Sequence, residues 1–97
     1  MEVKIKAIHF DIAEKLGQFI NKKAERLARK NENITSFDVS LKVVKPETAM
    51  NKEAIIKVIV PQHDDIVASK TADTFEEAVD MCLEAIERQL EKKKGKK

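Results

Sequence analysis

Val3, Ile5 and Ala7 alternate with Lys4 and Lys6 at the start of the chain, the two-residue period of a strand with one buried face. The period then changes. Ile12, Leu16, Phe19, Ile20, Ala24, Leu27 and Ala28 recur at steps of three and four, which predicts an amphipathic helix ending near Arg29. Asp11 and Glu14 have capping-box spacing at its start, and Asn31 or Asn33 can take the left-handed conformation that ends helices. Gly17 lies inside this helix, where it costs about 1 kcal/mol relative to alanine; close packing on the sheet would account for it.

Alternation resumes at Phe37, Val39, Leu41 and Val43, and Lys45-Pro46-Glu47 ends that strand with a residue that has no N–H to donate. A β-branched run from Ala54 to Val60, stopped by Pro61, predicts a third strand, and Ile66 to Thr71 a shorter fourth. Thr74, with Glu77 at capping-box spacing, opens a second helix whose apolar stripe is Phe75, Ala78, Val79, Cys82, Ile86 and Leu90. The order is β-α-β-β-β-α. This predicts an α+β fold in which a four-stranded mixed sheet carries both helices on one face, leaving Lys4, Lys6, Asp38, Ser40, Lys42 and Lys57 on the other.

At 97 residues, with two glycines and two prolines, the chain suits one domain of regular elements. We place that domain at residues 1–91 and a lysine-rich tail at 92–97. The N-terminus alternates charge with hydrophobicity where a signal peptide needs an unbroken apolar core, and no run is apolar enough to span a bilayer. A cytoplasmic protein without a membrane partner is expected. Cys82 is the single cysteine and lies on an apolar helix face, so it reads as a buried reduced thiol.

A catalytic constellation is not evident. His9 and His63, the two histidines, stand far apart in expected loops and do not make metal-ligand spacing with Cys82. Asp64-Asp65 has the chemistry to hold a cation or act as a base, but adjacent aspartates between strands suit a solvated turn. Two glycines cannot build the usual phosphate-binding loop. No enzyme activity, small-molecule substrate, cofactor or metal is expected.

Net charge is only +2, so its distribution carries the argument. At about 100° per residue, Lys15, Lys22, Arg26 and Arg29 fall in one band of the first helix, with Lys23 and Lys30 on its border with the apolar face. A solvated, salt-bridged face is the structural alternative. On the last helix Glu76, Glu77, Asp80, Glu84, Glu87 and Glu91 precede Arg88, Lys92, Lys93, Lys94, Lys96 and Lys97 in the general run of charge. Complementation of the helix dipole explains a basic last turn but not lysines beyond Gly95, which suit attraction to phosphate. Phe19, Phe37 and Phe75 lie on apolar faces, so a sheet that stacks RNA bases is disfavoured.

These residues also carry a resemblance. Ile12-x-x-x-Leu16-x-x-Phe19-Ile20-x-x-Lys23-x-x-Arg26-Leu27, then Val39-x-Leu41-Lys42-Val43, Ile66-Val67-Ala68-Ser69, Ala78-Val79-Asp80 and Glu87-Arg88-Gln89-Leu90 with lysines behind it resemble the ribosome hibernation-promoting factor and ribosome-associated inhibitor A family. The resemblance implies the same β-α-β-β-β-α layout, similar to a double-stranded-RNA-binding domain. It also implies a non-catalytic factor on the small ribosomal subunit and its 16S rRNA that blocks messenger RNA and transfer RNA in stationary phase or stress. Lys23 and Arg26, and Arg88, Lys92 and Lys94, match basic family positions. Lys22, Arg29, Lys30, Lys93 and Lys97 join the expected rRNA-binding set from the charge distribution alone.

The chain departs from the family pattern at Ala85, Glu76 and His63-Asp64, where relatives often carry lysine, tyrosine and paired glycines. Ending at Lys97, it resembles a short form without the second domain of long members, expected to be monomeric when free. The alternative is a protein–protein interaction module with no RNA role, using a sheet edge or the acidic strip Glu76 to Glu87.

Overall fold

The computed structural model describes residues 1–8, 10–44 and 50–95, with side chains described as far as Lys92. The elements are β1 (Glu2–Ala7), α1 (Glu14–Lys30), β2 (Ser36–Val43), β3 (Lys52–Ile59), β4 (Ile66–Ala72) and α2 (Phe75–Gly95). They form one mixed sheet in the order β1-β2-β3-β4, with β1 parallel to β2 and the other pairs antiparallel. The expected α+β layout is the observed one.

Alternation decides which side of the sheet is covered. Phe37, Val39 and Leu41 of β2, Ala54, Ile56 and Val58 of β3, and Ile66 and Ala68 of β4 are buried together. Above them lie Leu16, Ile20, Ala24 and Leu27 of α1 and Ala78, Val79, Cys82, Leu83, Ile86 and Leu90 of α2. Each large apolar side chain so buried contributes roughly 1.5–3 kcal/mol, which outweighs the weak intrinsic preference of any single residue for its element. α2 lies over β3 and β4, and α1 packs beside it toward β1.

The opposite face shows Lys4, Asp38 and Lys57 in one row and Lys6, Ser40 and Ile55 in the next. It is less polar than expected, since Ile55 and Ile59 are half-buried there and Val67 is exposed. Ion pairs tie its charges together: Lys57 to Asp65 and Lys42 to Glu53, each at 3.5 Å. Asp64 and Asp65 are both exposed, the solvated turn that the residue types suggest.

Several local expectations give way to other solutions. Asp11 and Glu14 do not form a capping box: the residue at the N-cap is Ala13, without a side-chain cap. Glu14 instead opens the first turn, where its carboxylate complements the helix dipole. Asn31 ends α1 without entering the left-handed region, at φ −136. Its buried side chain donates Nδ2–H to the Leu27 carbonyl at 3.1 Å, satisfying an acceptor that the helix end would orphan. Gly17 is not needed for close packing, because a Cβ there would meet nothing within 4 Å.

The second helix starts as its sequence predicts. Thr74 Oγ1 accepts the Glu77 backbone N–H at 3.1 Å, half of a capping box. α2 runs to Gly95, so residues 92–95 are helical. Positive φ occurs at Gln62, following Pro61 in the β3–β4 turn, and at Met50, whose N–H is held by Asp73 Oδ1 at 2.7 Å. His9 and the turn at Lys45-Pro46-Glu47 lie outside the described residues.

Candidate nucleic-acid interface

Helix periodicity places two kinds of cation on α1. The stripe Leu16, Ile20, Ala24, Leu27 faces the core; Arg26 lies roughly 115° round from its centre, and Lys22 and Arg29 roughly 155° and 175° round, on the solvent side, and all three are exposed. Between the two lie Lys23 and Lys30, which meet α2. Lys23 Nζ is 3.2 Å from Asp80 Oδ1, and Lys30 Nζ is 3.2 Å from Glu87 Oε2. Lys23 Nζ also sits 5.4 Å from the centroid of Phe19, over the ring, so its aliphatic stem and its charge both have neighbours.

These two contacts fix the relative direction of the helices. Lys23 and Lys30 are about two turns apart on α1, as Asp80 and Glu87 are on α2, and the partners run in the same order. The helices are therefore parallel, with both C-terminal ends at the same end of the molecule. α2 continues roughly 12 Å past Glu87, carrying Lys92, Lys93 and Lys94 beyond the last residue of α1. A parallel pair thus gathers the basic ends of both helices, which neither segment alone shows.

Between the helices runs an open groove of about 380 Å³ whose floor is Leu27 and Leu83 and whose walls are Lys23, Arg26 and Lys30 against Asp80, Glu84 and Glu87. Arg88 and Lys92 do not line this groove; they border a separate hollow with Gln89 and Glu91. The structure thus joins Lys23, Arg26 and Lys30 in one channel and leaves the two α2 cations on the other flank of an acidic stripe. Arg88 is highly exposed and reaches Glu84 at 3.8 Å, one turn earlier, a contact worth little in water.

Among the described residues, no ion pair engages Lys22, Arg26, Arg29 or Lys92. Arg29 borders a shallow hollow with Met1, Glu25 and Ala28. The side chains of Lys93 and Lys94, and all of Lys97, fall outside what is described. The carboxylates Asp80 and Glu87 are the groove residues that charge counting along the sequence does not single out as partners. Their separation in register with Lys23 and Lys30 is the signal that could have found them.

Other chemistry is sparse. No group of three metal-ligating side chains occurs among the described residues. Cys82 is buried, and its thiol donates to the Ala54 carbonyl at 3.2 Å. Burial pushes its pKa up to about 11, so at neutral pH it is a protonated packing group rather than a nucleophile. Phe10 and Phe75 stack with centroids 5.1 Å apart and planes 8° from parallel, and Phe37 is fully buried. No described helix is long and apolar enough to cross a membrane.

Comparison with known proteins agrees with this fold. A ribosomal subunit interface protein from Coxiella burnetii superposes with a TM-score of 0.85 at 23% identity, over 99% of this chain and 100% of that one. The N-terminal domain of Protein Y from Thermus thermophilus superposes with a TM-score of 0.78 at 20% identity, over 95% of this chain and 98% of that one. At such identities the likeness establishes the fold. No curated protein matches the sequence. The sequence profile of one family matches residues 3–97, almost the whole chain, in agreement with the resemblance carried by the helix and strand motifs. The chain therefore belongs to the Sigma 54 modulation protein / S30EA ribosomal protein family, the family of the ribosome hibernation-promoting factors.

Proposed function

We propose that this protein is a non-catalytic ribosome hibernation factor. It docks a helical basic surface on the 16S rRNA of the small ribosomal subunit and excludes messenger RNA and transfer RNA by occupying their space, silencing translation in stationary phase or stress. The observation that carries the reading is the parallel pairing of α1 and α2, which brings the exposed cations Arg26 and Arg29 near the end of α1 to the same end as Lys92 and the lysines after it, with Lys22 two turns before Arg29 on the same helix. Membership of the family supplies the partner class, and the structural relative named as a ribosomal subunit interface protein supports it.

Phosphate contacts made by such cations give sequence-independent affinity, and the rigid helices set which RNA shape can reach several of them at once. Lys22, Arg26, Arg29 and Lys92 enter this contact without a carboxylate partner. Lys93, Lys94 and Lys97, which follow Lys92 in the sequence, join the set by their charge. Lys23, Lys30 and Arg88 join it by exchanging a carboxylate for a phosphate. The free protein is monomeric and cytoplasmic in this reading. The acidic strip of α2, which would serve a purely protein-binding module, is in large part turned to Lys23, Lys30 and Arg88 of the chain itself.

The test is ribosome co-sedimentation across a salt series. The wild-type protein should travel with the small subunit at low salt and leave it steeply as salt rises. A K22E/R26E/R29E variant that melts normally should stay in the light fractions. Co-sedimentation of that variant at wild-type level would refute the proposed surface.

A further inference from the structure

The two ion pairs across the groove have a consequence for selectivity. Lys23 and Lys30 each touch a carboxylate of α2 at 3.2 Å, about the distance at which a phosphate oxygen would be held. Asp80 is half exposed and Glu87 about a third exposed, while Lys23 and Lys30 are 34% and 57% exposed. The pairs are therefore open enough for RNA to reach. A phosphate placed on either lysine would also sit against the carboxylate already there, and unfavourable like-charge proximity would offset much of the gain.

The register makes this a property of the fold. Both pairs are set at the same two-turn interval on parallel helices, over a floor of Leu27 and Leu83 that is buried. The packing of the two helices keeps each carboxylate within side-chain reach of its lysine. The lysines are thus reachable and already matched.

We infer that Asp80 and Glu87 are specificity-determining residues that act as built-in phosphate competitors, silencing Lys23 and Lys30 toward generic RNA and releasing them only to an RNA surface shaped to displace both carboxylates. This rests on the RNA-binding reading given above. Binding to an arbitrary duplex then counts only the unpaired cations, and the groove lysines add to it only when their partners are removed.

Fluorescence anisotropy with a generic A-form RNA duplex, measured across a salt series, tests this. The D80N/E87Q variant should bind several-fold more tightly per freed lysine near 0.1 M salt. Its log-log salt slope should steepen by roughly 0.7–0.9 for each of the two lysines. An E76Q/E77Q variant removes the same formal charge from exposed acids of the first turn of α2, and should leave the slope unchanged. In a K23Q/K30Q background the effect of D80N/E87Q on the slope should vanish.

An unchanged or shallower slope for D80N/E87Q overturns the inference. So does an equal steepening by the control pair, or an effect that survives in the K23Q/K30Q background. Thermal melts of each variant keep a folding defect from passing for a result. If D80N/E87Q does not fold, D80N and E87Q are tested singly, each expected to steepen the slope by one lysine's share. Failure of the wild-type protein to co-sediment with ribosomes would strike the proposed function, whereas an unmoved slope in a ribosome-binding protein strikes only this inference.

Discussion

Two sets of cations on α1 stand at different angles about its axis and have different surroundings. Lys22 and Arg29 stand on the solvent side and Arg26 on the rim of the groove, without ion pairs among the described residues, while Lys23 and Lys30 lean across the seam onto Asp80 and Glu87. The residue types and the helix are the same, and only the angle about the axis differs. A count of basic residues would therefore overstate the surface offered to phosphate, since a cation that has a carboxylate neighbour must exchange it. The seam has an apolar floor, with Leu27 and Leu83 both buried, and ion pairs across it.

That last point can be broken most decisively. Leu27→Ala leaves a cavity under the groove and should destabilise the protein by about 2–4 kcal/mol, read from urea or guanidinium unfolding. A loss well under 1 kcal/mol would mean that the helices are held together by something other than the floor of the groove.

Next in size is the first of the two sets, Lys22, Arg26 and Arg29. Neutralising it with K22Q/R26Q/R29Q should flatten the log-log salt dependence of RNA binding by roughly 2 to 3 in slope, close to one per phosphate contact removed. Should the slope stay put, that set does not meet phosphate, and the contrast with the seam has no functional meaning.

Cys82 extends the comparison from half-solvated charge to buried charge. Its folded pKa is raised from 9.0 to about 11, chiefly by desolvation. A raised pKa on an acid means that the neutral form is the one the fold accommodates. Its contribution is thus fully present below pH 9 and is lost as pH rises through 11. Chemical denaturation should show stability insensitive to this thiol up to pH 9 and declining above it, an effect absent in Cys82→Ala. Native protein at pH 8 should also react very slowly with thiol reagents compared with unfolded protein.

Smallest is the seam's own electrostatics. K23Q/K30Q should change unfolding stability by less than about 1 kcal/mol, because both pairs are partly solvated and screened. A loss of several kcal/mol would mean that the ion pairs, rather than Leu27 and Leu83, hold α1 to α2.

Periodicity alone was enough to locate each element to within a few residues. Val3-Ile5-Ala7 and Phe37-Val39-Leu41 repeat at two, and Leu16-Ile20-Ala24-Leu27 at three and four, because burial on one face acts on every residue in turn. Local end signals were less dependable. Thr74 caps α2 as its spacing suggests, but Asp11 does not cap α1, since Ala13 takes that place and the helix begins at Glu14. A capping box contributes only about 1 kcal/mol, which the packing of Phe10 and Ile12 against the core can override.

What the sequence determined by itself is the order of elements, the covered face of the sheet and the identity of the basic positions, because each depends on neighbours along one helix or strand. What only the tertiary structure decided is which cations are already spoken for. Asp80 and Lys23, or Glu87 and Lys30, are some 57 residues apart in the chain, and their meeting follows from the parallel docking of α1 beside α2 on a shared sheet. Coulomb interaction falls away with distance in space, so the partner of a charge is set by the packing of the helices and not by the pattern within either one.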